Sequence, residues 1–343
     1  MTGPLQGGRR RRHVGPKRRI ARRRRAGARL AVTALLLAPL VVAGAAYLSF
    51  LREGGQGARG PAPVVAGAIA GASVPPPAGG ALEPRSPAPI RLTGVDAFGL
   101  RFRDEPRAAL MLDVNTGEVL YRLHPLRQLP MASLTKIMTA LVVTSEADRR
   151  DPVRVTPAAL RYSGSGVGQL PRGRRVRLET LLNGLMIVSG NDAAIALAVH
   201  VSGSEKRFVA LMNEKARLWG LRCTRFASSH GLEKGNRSCP ADLAVLTRLA
   251  MRNRRITRIV GRSQAQFRFP IKGGRLYLYG HNPLIRTGYP GAIGLKTGYT
   301  NEAGRCFVGV ARRRGRTLGV VLLDSPDPGR QARRLLDLGF RYG

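Results

Sequence analysis

Three short stretches of this chain combine residue types that an activated nucleophile needs. Ser133-Leu-Thr-Lys136 sets a serine and a lysine three apart, on one face of a helix starting there. A serine hydroxyl is a weak nucleophile until a base takes its proton. A lysine desolvated near other cations can be neutral enough to serve, whereas arginine cannot be deprotonated in a protein. Backbone N–H groups at the helix start favour a developing negative charge. Ser189-Gly-Asn191 sits between two apolar helix-period stretches, a connection from which short polar side chains can point into a cleft. Lys296-Thr-Gly298 follows Ile293-Gly-Leu295 on or beside a strand edge, where an extended peptide can pair. There Gly298 permits close approach, and Lys296 with Thr297 can hold a substrate carboxylate. Each stretch also has an ordinary reading: a helix-start serine with a solvated lysine, a helix–helix turn with Asn191 or Asp192 as the next N-cap, and a strand ending in a polar turn. Composition weighs against these, because only 7 of the 58 basic residues are lysine and two of the seven complete these motifs.

Something must hold three distant motifs together, and the hydrophobic patterning outlines it. Ala108 to Asp113 and Glu118 to Tyr121 are strand-like and flank Asn115-Thr-Gly117, which predicts a hairpin. Helix-period apolar positions follow at Thr135 to Thr144, Leu178 to Val188, Ala193 to Val201, Lys206 to Trp219 and Ala241 to Met251. Strand character returns at Ala265 to Pro270, Arg275 to Tyr279, Cys306 to Ala311 and Thr317 to Leu323, before a closing helix over Pro328 to Phe340. A sheet begun, interrupted by helices and finished later predicts an α+β fold, an antiparallel sheet with an inserted helical lobe.

The first ninety or so residues read differently. Residues 1–29 form a basic cytoplasmic segment, and with Arg52 they contribute +13 of the chain's formal +38. Leu30 to Leu51 are 22 uncharged residues, enough to cross a hydrocarbon core of about 30 Å with the cationic flank inside. A basic run abutting an apolar span reads as membrane retention, not as a nucleic-acid arm. The apolar stretch runs past Ala43-Gly-Ala45, a small-residue pattern of the kind signal peptidases accept, so the span reads as an anchor; cleavage there would release a secreted protein. Residues 52–92, rich in Ala, Gly and Pro, predict a linker too poor in large apolar side chains to fold. Residues 93–343 then form one catalytic domain of two lobes outside the cytoplasm. In that compartment a Cys223–Cys239 bridge is open, and Cys306, leading an apolar strand, reads as a buried free thiol. The five histidines make no metal-binding spacing, so neither a metal nor another cofactor is expected.

In chain order the three motifs match the set of penicillin-interacting serine enzymes. Their surroundings narrow the match: Asp113-Val-Asn-Thr-Gly-Glu-Val-Leu-Tyr121, Met131-Ala-Ser-Leu-Thr-Lys-Ile-Met-Thr-Ala140, Ser189-Gly-Asn-Asp-Ala-Ala194, His230-Gly-Leu232 and Gly294-Leu-Lys-Thr-Gly-Tyr-Thr300. Over roughly residues 97–340 the chain closely resembles the D-alanyl-D-alanine carboxypeptidases, the low-molecular-mass penicillin-binding proteins. The resemblance implies the β-lactamase-like split fold, with its active site between sheet and helical insertion. It implies Ser133 as acylated nucleophile, Lys136 as general base and Ser189 as proton relay. Asn191 would contact the substrate amide, and Lys296, Thr297 and Gly298 would receive the terminal carboxylate end. Backbone N–H groups of Ser133 and Tyr299 would form the oxyanion hole. The implied substrate is a peptidoglycan stem peptide ending in D-Ala-D-Ala, with β-lactams as covalent mimics. Because the chain stops at Gly343, attachment through the N-terminal span alone is expected.

Two rival readings remain. Glu179-Thr-Leu-Leu-Asn183 fits the Glu-x-x-Leu-Asn signature of class A β-lactamases, but here it precedes Ser189, and in those enzymes it comes after the second motif. A non-catalytic, membrane-tethered wall-binding protein would keep the fold without needing every motif residue. A Ser-His-Asp hydrolase is disfavoured, since no Gly-x-Ser-x-Gly occurs in the chain.

Overall fold

A computed structural model of the protein describes residues 90–168 and 170–342, all within the compact unit Pro75–Gly343. The expected cytoplasmic segment, membrane span and all but the end of the linker lie outside the described residues. Among the described residues no helix is long and apolar enough to cross a membrane.

The chain opens with strands β1 (Ala108–Asp113) and β2 (Val119–Leu123), joined through a turn in which Asp113 Oδ1 accepts from the N–H groups of Asn115 and Thr116 at 2.9 and 3.1 Å. Then come β3 (Leu129–Pro130), a 3-10 turn at Ala132–Leu134, α1 (Thr135–Glu146), β4 (Pro152–Arg154), α2 (Pro157–Leu160), β5 (Arg175–Arg177), α3 (Leu178–Ile187), α4 (Asn191–Ser202) and α5 (Glu205–Leu218). After these follow β6 (Arg237–Ser238), α6 (Pro240–Arg252), α7 (Arg254–Val260), the hairpin β7 (Gln264–Arg268) and β8 (Arg275–Tyr279), and α8 (Pro283–Arg286). The chain finishes with β9 (Ala292–Thr300), β10 (Gly304–Arg313), β11 (Arg316–Leu323) and α9 (Pro328–Arg341).

The main sheet runs β2-β1-β11-β10-β9, antiparallel throughout, so the first hairpin pairs with the last strands and the helical lobe lies between them in sequence. The predicted α+β outline stands. Strand periodicity sorts β11 between two cores. Leu318, Val320 and Leu322 face Ala332, Leu335 and Leu336 of α9, whereas Val321 and Leu323 face the helical lobe. Each such fully buried aliphatic side chain stabilises by about 1.5–3 kcal/mol. At the centre of the lobe is α1, whose residues Thr135–Val143 are all buried, as a helix enclosed by others must be.

One element at the site differs from expectation. The nucleophile motif starts on the 3-10 turn Ala132–Leu134 and not on an α-helix, whereas Lys296–Gly298 lies, as expected, on a strand edge, the nine-residue edge strand β9. Gly and Lys give β9 little intrinsic strand preference; its pairing with β10 supplies the order.

The open question about the cysteines is resolved: Cys223 and Cys239 form a disulfide, and Cys306 is free and buried. These two cysteines and Asp242 lie within 4.8 Å, but the sulfurs are joined to each other and Asp242 accepts from Cys223 N–H and Thr224 Oγ1. The bridge spans 16 residues just before α6, a loop length for which closure stabilises by about 3 kcal/mol. Replacing both cysteines by alanine is expected to lower unfolding free energy by that order, measured in urea. An unchanged midpoint would contradict this.

Candidate active site

Ser133 lies on a turn held from three sides. Leu134 N–H donates to Met131 O at 3.1 Å, and Thr135 Oγ1 donates to Ala132 O at 2.9 Å. Ala132 adopts φ +48°, a left-handed conformation in which a side chain is strained. A Cβ at Gly231, itself at φ +94°, would overlap the Ala132 carbonyl, and one at Gly298 would stand 3.0 Å from Ser133 N. Both glycines therefore let backbone pack against the nucleophile's turn where any other residue would push it away.

One helical turn on, Lys136 Nζ lies 2.9 Å from Ser133 Oγ, 2.7 Å from Asn191 Oδ1 and 2.6 Å from the His230 carbonyl oxygen. The side chain is fully buried. Burial above all, and then the nearby Lys296 ammonium, holds the Lys136 amine well below the ordinary lysine range, against the smaller opposing pull of Asp192. A neutral amine has two hydrogens and one lone pair. Asn191 Oδ1 and His230 O can accept only, so they take the two hydrogens and leave the lone pair facing the Ser133 hydroxyl.

The second motif closes this arrangement. Asn191 is the first residue of α4, and the cap position is Gly190 with no side-chain bond, so neither Asn191 nor Asp192 is the expected N-cap. The Asn191 side chain is instead spent on the site: Nδ2 donates to Ser163 O at 2.6 Å while Oδ1 faces Lys136. The buried Asp192 carboxylate accepts from the N–H groups of Val167 and Gly168 at 2.8 and 3.0 Å, tying the 163–168 loop to α4. Ser189 adopts φ +61°, and its buried Oγ has no partner among the described residues. A strained serine with a free hydroxyl at a cleft is suited to meet a ligand.

The third motif lies on the edge strand β9. Lys296 is buried and its Nζ donates to Thr297 O at 2.8 Å; burial brings its pKa down to about 7. Thr297, Gly298 and Tyr299 line a cleft of about 640 Å³ together with Ser133 and Ser189. All three predicted motifs thus converge. Glu179 does not join them: it opens α3 and pairs with Arg255 at 3.1 Å.

A family model described as D-alanyl-D-alanine carboxypeptidase matches residues 103–327, about two thirds of the chain. The chain belongs to this family. It is 35% identical over 245 residues to the D-alanyl-D-alanine carboxypeptidase DacF of Bacillus subtilis, covering 69% of this chain and 62% of that relative's length. Over 240 residues it is 37% identical to DacB2 of Mycobacterium tuberculosis, covering 67% of this chain and 81% of that one. The crystal structure of a D-alanyl-D-alanine carboxypeptidase from M. tuberculosis superposes with a TM-score of 0.67 at 34% identity, covering 72% of this chain and 96% of that one. The carboxypeptidase fold, a sheet with an inserted helical lobe, is therefore shared with solved relatives.

Sequence reasoning assigned no role to two supports of this site. Asp192 and the small-residue run Ser163-Gly-Ser-Gly-Val-Gly168 were readable as polar loop and cap. The Ser229–His230 segment had no chemical signal, because its contribution is a main-chain carbonyl. That carbonyl is placed by Glu205, whose Oε1 accepts from Ser229 N–H and Oγ at 3.0 and 2.6 Å, while Ser229 O accepts from Thr139 Oγ1 at 2.6 Å. Leu232 N–H donates to His230 Nδ1, which sets the ring proton on Nε2 facing Glu205, 3.6 Å away. Burial keeps the His230 pKa below its ordinary value despite Glu205.

Glu205→Ala is expected to free this segment, let water reach Lys136 and move the acid limb of benzylpenicillin acylation to higher pH. Glu205→Gln keeps the acceptor and should restore the parental profile. An unmoved limb in Glu205→Ala would show that the segment holds itself.

Proposed function

We propose that the protein is a membrane-anchored serine D-alanyl-D-alanine carboxypeptidase that removes the terminal D-Ala of peptidoglycan stem peptides. The observation that carries this reading is the buried Lys136 amine, 2.9 Å from Ser133 Oγ with both its hydrogens committed elsewhere. Ser133 attacks the carbonyl of the penultimate D-Ala while Lys136 takes the hydroxyl proton, a base contribution worth about 10²–10⁴-fold. Backbone N–H groups of Ser133 and Tyr299 receive the oxyanion. The leaving amine of the terminal D-Ala takes a proton through Ser189, and water then hydrolyses the ester on Ser133 with Lys136 again as base. Asn191 steadies the substrate amide. Lys296 and Thr297 hold the terminal carboxylate, with Gly298 keeping the edge strand close enough for the substrate to pair as an added strand. A β-lactam enters the same path as a mimic of the dipeptide. The β-lactamase alternative loses its candidate deacylating carboxylate, since Glu179 is engaged by Arg255.

The remaining parts of the proposal rest on sequence alone. Residues 1–29 stay in the cytoplasm, 30–51 span the membrane, 52–92 form the linker and 93–343 work on the wall side. The basic run followed by 22 uncharged residues supports that order.

Benzylpenicillin mixed with the full chain in detergent is expected to give a long-lived adduct that peptide mapping places on Ser133. Ser133→Ala should give none, and Lys136→Arg should be inactive although the charge is kept. Rapid drug hydrolysis without an adduct would favour a β-lactamase, and neither adduct nor turnover would favour a non-catalytic protein.

The acylation rate should follow a bell in pH. It rises as Lys136 loses its proton, and it falls as Lys296 loses its charge near its pKa of about 7. Lys296→Arg keeps the cation at all pH and should lose less activity than Lys136→Arg while losing the alkaline fall. A fall that survives this substitution would remove Lys296 from the carboxylate role.

A further inference from the structure

The hairpin β7–β8 carries a surface feature that the catalytic reading leaves unused. Its inner face, Leu276 and Leu278 with Ala265 and Phe267, packs on the main core. Its outer face is a ladder of directly opposed pairs: Tyr279 with Gln264, Tyr277 with Gln266, and Arg275 with Arg268. Tyr277 is 55% and Tyr279 61% exposed, two of the few large hydrophobic side chains of the described residues left so open. None of the six side chains has a hydrogen bond or ion pair among the described residues.

The two ends of the ladder give it a direction. Beyond Tyr279 the chain passes through Gly280 to His281, which lines the cleft with Ser133 and Thr297. At the other end Arg268 and Arg275 join Arg175 and Arg177 around a groove of about 820 Å³ whose lining includes no acidic residue. Like charges directly opposed on a sheet are destabilising, and here no acid of the described residues offsets them. From Tyr279 to Arg275 the ladder runs for about 14 Å at the usual strand rise.

We propose that this outer face docks the glycan strand from which the substrate stem peptide hangs. The inference rests on the carboxypeptidase reading above, because that reading is what brings a stem-bearing glycan to the cleft. Tyrosine rings offer flat, rigid, amphipathic surfaces at little entropic cost, suited to the apolar faces of sugar rings. Beside them the Gln264 and Gln266 amides present both donors and acceptors for hydroxyl and acetamido groups. At the far end the four guanidinium groups take carboxylates of the same polymer, which arginine receives bidentately. A neutral aromatic–amide centre with a cationic end matches a strand of neutral sugars bearing carboxylate-carrying peptides better than an anionic lipid surface, which asks for charge throughout.

The test compares the full-length parent with Y277S/Y279S and R268Q/R275Q variants in co-sedimentation with insoluble peptidoglycan. Alongside it run turnover of a short acetylated peptide ending in D-Ala-D-Ala and benzylpenicillin acylation. Each double variant is expected to weaken sedimentation by about tenfold, the scale of losing an interface anchor, with short-peptide turnover and acylation unchanged. Undiminished sedimentation of both variants would overturn the proposal. So would loss of short-peptide turnover to the same degree, or binding of phosphatidylglycerol vesicles that depends on the same tyrosines. A parent that is not acylated at Ser133 would overturn the carboxypeptidase reading while leaving the sedimentation result to stand or fall separately.

Discussion

An amine kept dry beside a serine is the constraint on which the rest of this structure depends. A charged ammonium buried without a carboxylate partner is too costly to persist, and the group resolves the conflict by giving up its proton. Lys136 meets that condition and has a second cation, Lys296, nearby to reinforce it. With Asn191 Oδ1 and His230 O fixed as acceptors, the lone pair has one direction left. Arginine in its place would keep the charge and lose the chemistry.

Keeping one side chain dry and aimed requires a large rigid surround, and the fold can be read as that surround. Helix α1 carries Lys136 through the middle of the helical lobe, where nine successive residues are buried. The sheet closes the other side with an edge strand, β9, that is free to accept a further strand. The sheet meets the nucleophile's turn at backbone through Gly298, and Gly231 lets its own loop pack on the same turn, because side chains there would hold them apart. Closure around the base and openness toward a peptide are thus supplied by different layers. Two of the non-glycine residues held at positive φ, Ala132 and Ser189, lie in short turns at the site.

The parts of this arrangement that depend on side-chain identity were legible in the sequence. Lysine is scarce in an arginine-rich chain, which made Lys136 and Lys296 conspicuous, and the hydrophobic periodicity located the helical insertion to within a few residues. What escaped was backbone chemistry and tertiary override. No residue type announces that the carbonyl of His230 will accept from a lysine 94 positions earlier. The partners of Asn191 escaped too: its type also favours caps, and only the fold shows it spent on Lys136 and Ser163. The length of β9 came from pairing with β10, and the Cys223–Cys239 bridge from a chain reversal that spacing alone leaves open.

The central claim concerns the protonation state of one atom, and it can be read directly. The chain has seven lysines, so protein labelled at lysine Cε gives few NMR signals, and the Lys136→Arg variant identifies the one that matters. The account predicts that the Lys136 signal reports a neutral amine at pH values where the solvated lysines are still fully charged. A Lys136 signal that titrates together with those solvated lysines, near the ordinary value of about 10.4, would contradict the account.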